Sequence, residues 1–381
     1  MKKSVILFSL LLLLPAALFS FDWGVVIDNS STLDFGEAID TELAQRDKVS
    51  FWAEHFWSGT DESQYMFMFN GFYLYTDERA YLFDADRLEF RLKKAGIYNS
   101  PTVLDLSLGR FRFADTTATV LNHGADGISL DLDFSILRMK TAIGYTGLQL
   151  KPEAGVEMSA ADVADGNDDD VYFAPKRLFE QLVLQFPELA PRQRLTVETL
   201  FQQDLREETA DRLNSVHATA KADGAIAGGF YYDISATGGW DVSNNVNGLM
   251  TAAALRYFAE QYLGSRASLG LILTGEDFLT VSTPTFGLVY APSEADLLRI
   301  AFDYSMRPWS GRLSPALRNL QFLTGLKYFA VPGDGYTGME LEGGINFRPS
   351  SDFGASLKGG LWLPDGGDTQ GLVRLEFSLG L

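Results

Sequence analysis

This 381-residue chain contains three histidines, His55, His123 and His217, and no cysteine. None of the histidines sits in a nucleophile or metal-ligand motif. Without cysteine there is no thiolate zinc site, cysteine nucleophile, disulfide scaffold or lipid-modified cysteine. His123, in Leu121-Asn-His-Gly-Ala-Asp-Gly127, reads as part of a strand-connecting turn. A membrane-embedded hydrolase is therefore the weakest reading, and no enzymatic activity, metal or cofactor is expected. What remains is charge at alternate positions. Arg87, Arg91, Arg110, Arg112, Arg138, Lys140 and Arg299 carry positive charge, and Asp131, Asp133, Asp303, Glu340 and Glu342 carry negative charge. Set around a water-filled bore, opposed charges of this kind make a transverse field that orders water and selects polar solutes. The densest basic run, Arg87 to Lys140, predicts a basic arc on one wall that favours anionic or polyhydroxylated solutes. The bland alternative is that most of these residues form ion pairs that stiffen the wall.

The elements that must carry these charges are strands, because the charges alternate with apolar residues at period two. Leu88, Phe90 and Leu92 oppose Arg87, Glu89 and Arg91, and Ile128, Leu130 and Leu132 oppose Ser129, Asp131 and Asp133. Leu298, Ile300, Phe302 and Tyr304 oppose Arg299 and Asp303; Val373, Leu375, Phe377, Leu379 and Leu381 oppose Arg374, Glu376 and Ser378. At Gly109 the apolar phase shifts, from Leu104, Leu106 and Leu108 to Phe111 and Phe113. A bulge there would keep Arg110 and Arg112 pointing inward. Compact turn sequences separate the runs at 187–191, 291–296, 348–352 and 364–368. Three segments fit the dyad poorly: 64–75 is apolar on both faces, while 177–186 and 247–263 have spacing compatible with helix.

Residues 1–20 carry Lys2 and Lys3, an apolar run and a small Ser20, the pattern of a secretory signal peptide. Removing it leaves 29 basic residues (31 − 2) against 50 acidic ones, a formal charge of −21, which argues against nucleic acid as a partner. No apolar run of helix-spanning length follows the leader. Much of the excess negative charge falls in an acidic loop at 151–170, with Glu153, Glu157, Asp162, Asp165, Asp168, Asp169 and Asp170 against one Lys151. A calcium-loop reading fails there, because the sixth position from Asp165 is Asp170 and the twelfth is Lys176; a solvated loop fits better.

The leader without cysteine, the repeated dyad strands, turns such as Pro349-Ser-Ser-Asp352, and the closing Gly371-Leu-Val-Arg-Leu-Glu-Phe-Ser-Leu-Gly-Leu381 strand together resemble bacterial outer-membrane porins. The closing strand is similar to that family's C-terminal assembly signal, ending in Leu381 where Phe is commoner. The resemblance implies an all-β fold, a transmembrane antiparallel β-barrel over residues 21–381, and a location in the outer membrane of a Gram-negative envelope. At about 20–25 residues per strand it implies about sixteen strands, within a range of about 14–18. It also implies passive diffusion of small polar solutes or ions, lipid around the barrel, and insertion by the barrel-assembly machinery through the last strand. A homo-oligomer is compatible with it. The alternative is a surface barrel acting as an adhesin or structural protein, with no conducting lumen.

Overall fold

The computed structural model describes residues 21–36, 41–59, 63–77, 82–96, 102–151, 154–168, 170–206, 211–259, 262–293, 295–309 and 315–381. Residues 1–20, and with them the expected signal peptide and its cleavage near Ser20, lie outside them. Alternation of apolar and polar side chains gives long antiparallel strands: β1 (Asp22–Gly36), β2 (Glu42–Ser58), β3 (Gln64–Thr76), β4 (Leu82–Ala95), β5 (Val103–Ala114), β6 (Asn122–Asp133), β7 (Arg138–Tyr145), β8 (Arg177–Ala190) and β9 (Gln193–Asp204). The second half continues with β10 (Ser215–Ala225), β11 (Phe230–Asp241), β12 (Val246–Ala259), β13 (Ser265–Thr274), β14 (Leu298–Met306), β15 (Gln321–Val331), β16 (Gly335–Phe347), β17 (Phe353–Pro364) and β18 (Gln370–Gly380). Each strand pairs with its neighbours in sequence, and β1 pairs with β18 from Val26↔Gly380 to Gly36↔Gln370. The ring is finished by Val25 and Leu381, which exchange backbone hydrogen bonds of 3.1 and 2.8 Å. Closure leaves no unpaired sheet edge, the condition for strands to cross a bilayer.

The barrel has 18 strands, not about sixteen. The two segments with helix-compatible spacing are β8 and β12. An alanine run such as Ala252-Ala-Ala254 has high helix propensity, but twelve backbone pairings to β11 and ten to β12's other neighbour decide its state. Residues 187–190 extend β8 rather than form a turn, with a register irregularity between Phe186 and Ala190. The tight turn expected at 291–296 is part of a long segment, 275–297, between β13 and β14. That places the segment at the same rim as the other long connection, 146–176. The link at 307–320 holds a short helix, α2 (Pro315–Arg318), and no hairpin among its described residues. Segment 146–176 contains α1 (Ala160–Asn167).

Cross-strand partners share a face, so the register divides every strand. On the outer face lie Leu88, Ile128, Leu182, Leu269, Phe302, Leu341 and Leu375, each 37–51% exposed in the isolated chain, forming the apolar belt expected against lipid. On the inner face the two long segments fold into the bore. Phe278 and Val281 pack with Phe111, Phe113, Ala125, Ala142, Phe179, Leu200 and Met250. Phe286 packs with Leu297, Phe329 and Trp362. The hydrophobic core of this protein is thus a plug against the inner wall, while the outside is an apolar surface.

The ladder runs through Gly109 without a bulge: Leu108↔Ile128, Gly109↔Gly127 and Arg110↔Asp126 follow in order. Phe111 and Phe113 therefore share the inner face with Asp105 and Ser107, because the plug offers them an apolar partner inside the barrel. Arg110 and Arg112 fall on the face of Leu106 and Leu108, not inward. Gly109 has φ +111°, and a Cβ there would lie 2.0 Å from the Leu88 carbonyl oxygen. Gly109→Ala should cost on the order of 2 kcal/mol from backbone strain alone, measurable as an earlier loss of the compact barrel on heating in detergent.

Candidate functional site

The inner wall is a lattice of charges whose partners are set by the register. On β4 to β7, Arg87 pairs with Glu89 at 2.6 Å, Arg91 with Asp105, and Arg138 with Asp133 at 2.7 Å and Asp131 at 3.9 Å. Lys140 faces Asp131 across β6–β7 in the register. Arg110, which the register places off the inner face near the loop-bearing end of β5, is buried between Asp84 at 2.7 Å and Asp126 at 2.9 Å, and it donates to the backbone carbonyls of Ala85 and Leu148. Arg112 donates to Asn122 Oδ1 at 2.8 Å. Apart from Arg112, whose partner is an amide, the expected basic arc is thus charge-matched rather than free: Arg87 pairs along its own strand, Arg91 diagonally across a strand pair, and Arg110 and Arg138 directly across one.

The opposite wall is different. Arg256 on β12, Arg266 on β13 and Arg299 on β14 line the inner face, and among the described residues none of the three forms an ion pair. Aromatic rings flank two of them, Phe258 at 5.5 Å from the Arg266 guanidinium and Phe286 at 6.0 Å from that of Arg299. They border a cavity of about 520 Å³ beneath residues 285–288, whose floor includes Asp303, Lys327, Glu342 and Lys358. Arg256 and Arg266 also border a second cavity, of about 810 Å³, that continues past Arg194, Asp223 and Tyr231. The two cavities share Arg256, Phe258 and Arg266 and together run along the inner side of β9–β17. A third, of about 800 Å³, lies against β1, β2 and β16–β18 and is lined by Asp28, Arg46, Lys48, Arg374 and Glu376.

Two latches hold the inserted segments. Glu340, fully buried, accepts backbone N–H bonds from Leu288 at 2.6 Å and Tyr290 at 2.9 Å. Lys327 pairs with the adjacent Glu342 and lies 3.9 Å from Glu340. Tyr290 stacks on Trp362 with ring centroids 3.9 Å apart. Glu340 is therefore an anchor for residues 285–290 rather than an open wall charge, whereas Arg299, Asp303 and Glu342 border the cavity. The second latch is a buried quartet. Asp162 of α1 pairs with Arg177 and, at 2.6 Å, with Arg206; Asp204 pairs with Arg177 and, at 2.9 Å, with Arg206. Burial on its own would lower the Arg206 pKa, but Asp162 and Asp204 outweigh it and hold the guanidinium above its ordinary value.

Two histidines clamp the plug. His123 Nδ1 lies 2.6 Å from Ser282 Oγ and His217 Nε2 lies 2.9 Å from the Leu279 carbonyl oxygen. His123 is the second residue of β6, not part of a turn. The Ser282–His123 pair does not make a hydrolytic site. Ser282 is 2% exposed and its Oγ also accepts the Asn122 N–H, while His123 Nε2 has no hydrogen-bond partner to orient the ring.

Sequence reasoning missed Arg256 and Arg266 because the segment around Arg256 has helical spacing. The dyad Met250, Ala252, Ala254, Arg256 against Leu249, Ala253, Leu255 was the available signal. It also missed Arg177, Asp204 and Arg206, whose roles depend on where α1 docks.

No protein-family model matches the chain, and no curated protein matches it in sequence. Solved structures do match. OpdO of Pseudomonas aeruginosa superposes over 95% of this chain and 97% of its own, with a TM-score of 0.65 at 13% identity. OccK2 (OpdF) of the same organism covers 95% and 97%, with a TM-score of 0.65 at 11% identity. The outer membrane protein opdK covers 94% and 99%, with a TM-score of 0.60 at 12% identity. The likeness is one of fold: this chain has the closed antiparallel barrel of these Pseudomonas proteins, the architecture that the resemblance to porins implies.

Proposed function

We propose that the protein is an outer-membrane channel for passive diffusion of small polar solutes, with a preference for anionic or polyhydroxylated ones. The observation that carries this reading is the row Arg256, Arg266 and Arg299, three arginines without ion-pair partners among the described residues beside two cavities that share Arg256 and Arg266. A wall needing only rigidity would match them with carboxylates, as β4 to β7 do. Arg256 and Arg266 are exposed and Arg299 is half-buried beside Phe286; their guanidinium groups offer forked N–H donors to carboxylate, phosphate or vicinal hydroxyls. The inserted segments 275–293 and 154–168 narrow the bore and add size selection. The barrel fold shared with the Pseudomonas outer-membrane proteins supports the location. The charge-matched arc from Arg87 to Lys140 contributes wall stiffness and a screened field rather than anion capture.

The test is reversal potential under a salt gradient in planar bilayers, for wild type and for the triple variant Arg256→Gln, Arg266→Gln, Arg299→Gln. The wild type should favour chloride over potassium. Losing about 1 kcal/mol of attraction at water-exposed cations lowers the anion-to-cation permeability ratio about fivefold. A ratio that does not move removes the role assigned to this row. A wild-type barrel that never conducts would instead favour the adhesin or structural reading.

A further inference from the structure

Along the described strands the outer face is apolar, small or hydroxyl-bearing except near strand ends and in one further place. Charged, amide or imidazole side chains on that face elsewhere, such as His55, Lys94, Arg112, Glu180, Glu188 and Gln203, lie within four residues of a strand end. Arg110 and Asp126 lie against the first residues of segment 146–176, through the Arg110–Leu148 hydrogen bond. That further place is on β1 and β2. Asn29 is the central residue of the 15-residue β1. Its register partner is Asp47, and Ser31 faces Gln45 two residues on. All four share the outer face with Ile27, Leu33 and Phe35 on β1 and Leu43 and Val49 on β2, which are 36–64% exposed. Apolar rows thus lie on both sides of a polar tetrad that contains a carboxylate.

Hydrocarbon offers such a group no hydrogen-bond partner, and a carboxylate facing it is unfavourable. Bonds within the tetrad satisfy only part of it. Asn29 Nδ2 at 2.6 Å and Gln45 Nε2 at 3.2 Å both donate to Asp47 Oδ1, and Ser31 Oγ donates to Gln45 Oε1 at 2.7 Å. Among the described residues nothing donates to Asp47 Oδ2, and each amide keeps a second N–H. The patch therefore holds the donors and the acceptor that an identical patch needs. An isologous contact brings a surface against its own image, so the amides of one copy meet the carboxylate of the other, twice. Lipid tails or a foreign apolar protein face would leave the tetrad buried and unsatisfied.

We propose that the outer faces of β1 and β2 form an interface with a second copy of this chain, the two tetrads meeting across a twofold axis with Leu33, Leu43, Ile27 and Val49 packed around them.

The absence of native cysteine makes the test direct. Ser31→Cys, expressed in the outer membrane and oxidised in place, should give a disulfide-linked species of twice the chain mass. Ala236→Cys, at an exposed outward position on β11, should give none. Adding Asp47→Leu to Ser31→Cys should abolish the linked species, with heat-modifiable gel mobility confirming that the barrel is intact. Asn29→Leu serves the same purpose if the Asp47 variant does not assemble. Absence of linkage at Ser31, equal linkage at Ala236, linkage to a product of another mass, or linkage indifferent to both leucine variants would each overturn the proposal.

Discussion

Glu340→Ala is expected to convert a steady pore into a larger, flickering one. In the wild type one carboxylate accepts the N–H groups of both Leu288 and Tyr290, so residues 285–290 are held by a group that is itself 0% exposed. Removing an acceptor leaves each buried donor unsatisfied at about 1–3 kcal/mol, so the segment loses about 2–6 kcal/mol of anchorage. Moving a two-state equilibrium from 99:1 to 1:99 takes about 5.5 kcal/mol, so a loss of this size brings seated and released states to comparable populations. Release opens the cavity beneath 285–288 and uncovers Arg299, which now lies near the Phe286 ring. Single-channel recording should show a higher mean conductance and transitions between levels. Glu340→Gln keeps one acceptor oxygen and should show an intermediate effect. Wild-type conductance and noise in Glu340→Ala would mean that the Tyr290–Trp362 stack and the plug hold the segment alone.

The second large effect is expected from Asp162→Ala. Asp162 has two tasks. Its Oδ2 accepts the Ser159 N–H at 2.8 Å while Ser159 Oγ accepts the Asp162 N–H at 3.2 Å, a reciprocal cap on α1. The same carboxylate pairs with Arg177 and Arg206, tying α1 to β8 and to the residues after β9. Breaking one member of a buried ion cluster costs about 3–5 kcal/mol because a charge is stranded. The lower end applies here, since Asp204 still pairs with both arginines. Asp162→Asn separates the tasks: its amide oxygen can still cap, but the cluster is left with net positive charge. Limited proteolysis of intact barrels should cut within 154–168 far faster in Asp162→Ala than in wild type, with Asp162→Asn between them. Equal protection in all three would assign the docking of α1 to other contacts, such as the Val156↔Ser282 bridge.

Both predictions concern residues whose importance lies outside their own strands. Glu340 and Glu342 are alike in sequence, two acids two positions apart on one face of β16. Only the arrival of residues 285–290, more than fifty positions earlier in the chain, buries one while the other borders the cavity. Asp162 stands among seven acids in a segment that reads as a solvated loop; Arg177 and Arg206 single it out by converging on α1. Arg110 and Arg112 read as inward only if Gly109 inserts a bulge. The assumption that lumen residues are polar failed there, because the inward Phe111 and Phe113 meet Val281 and Phe278 of the plug.

What the sequence by itself determined is the local rule: a two-residue period of apolar and charged side chains, and no helix long enough to span. Side-chain alternation is a property of each strand alone, so it specifies all-β architecture and the inward face for Arg87, Arg91, Arg138, Lys140, Arg299 and Asp303. What only the tertiary structure decided is the strand number, the path of 154–168 and 275–293 into the bore, and the partner of each charge. Those depend on ring closure and on contacts between residues far apart in sequence, where an ion pair and an open cation look the same until the opposite wall is in place.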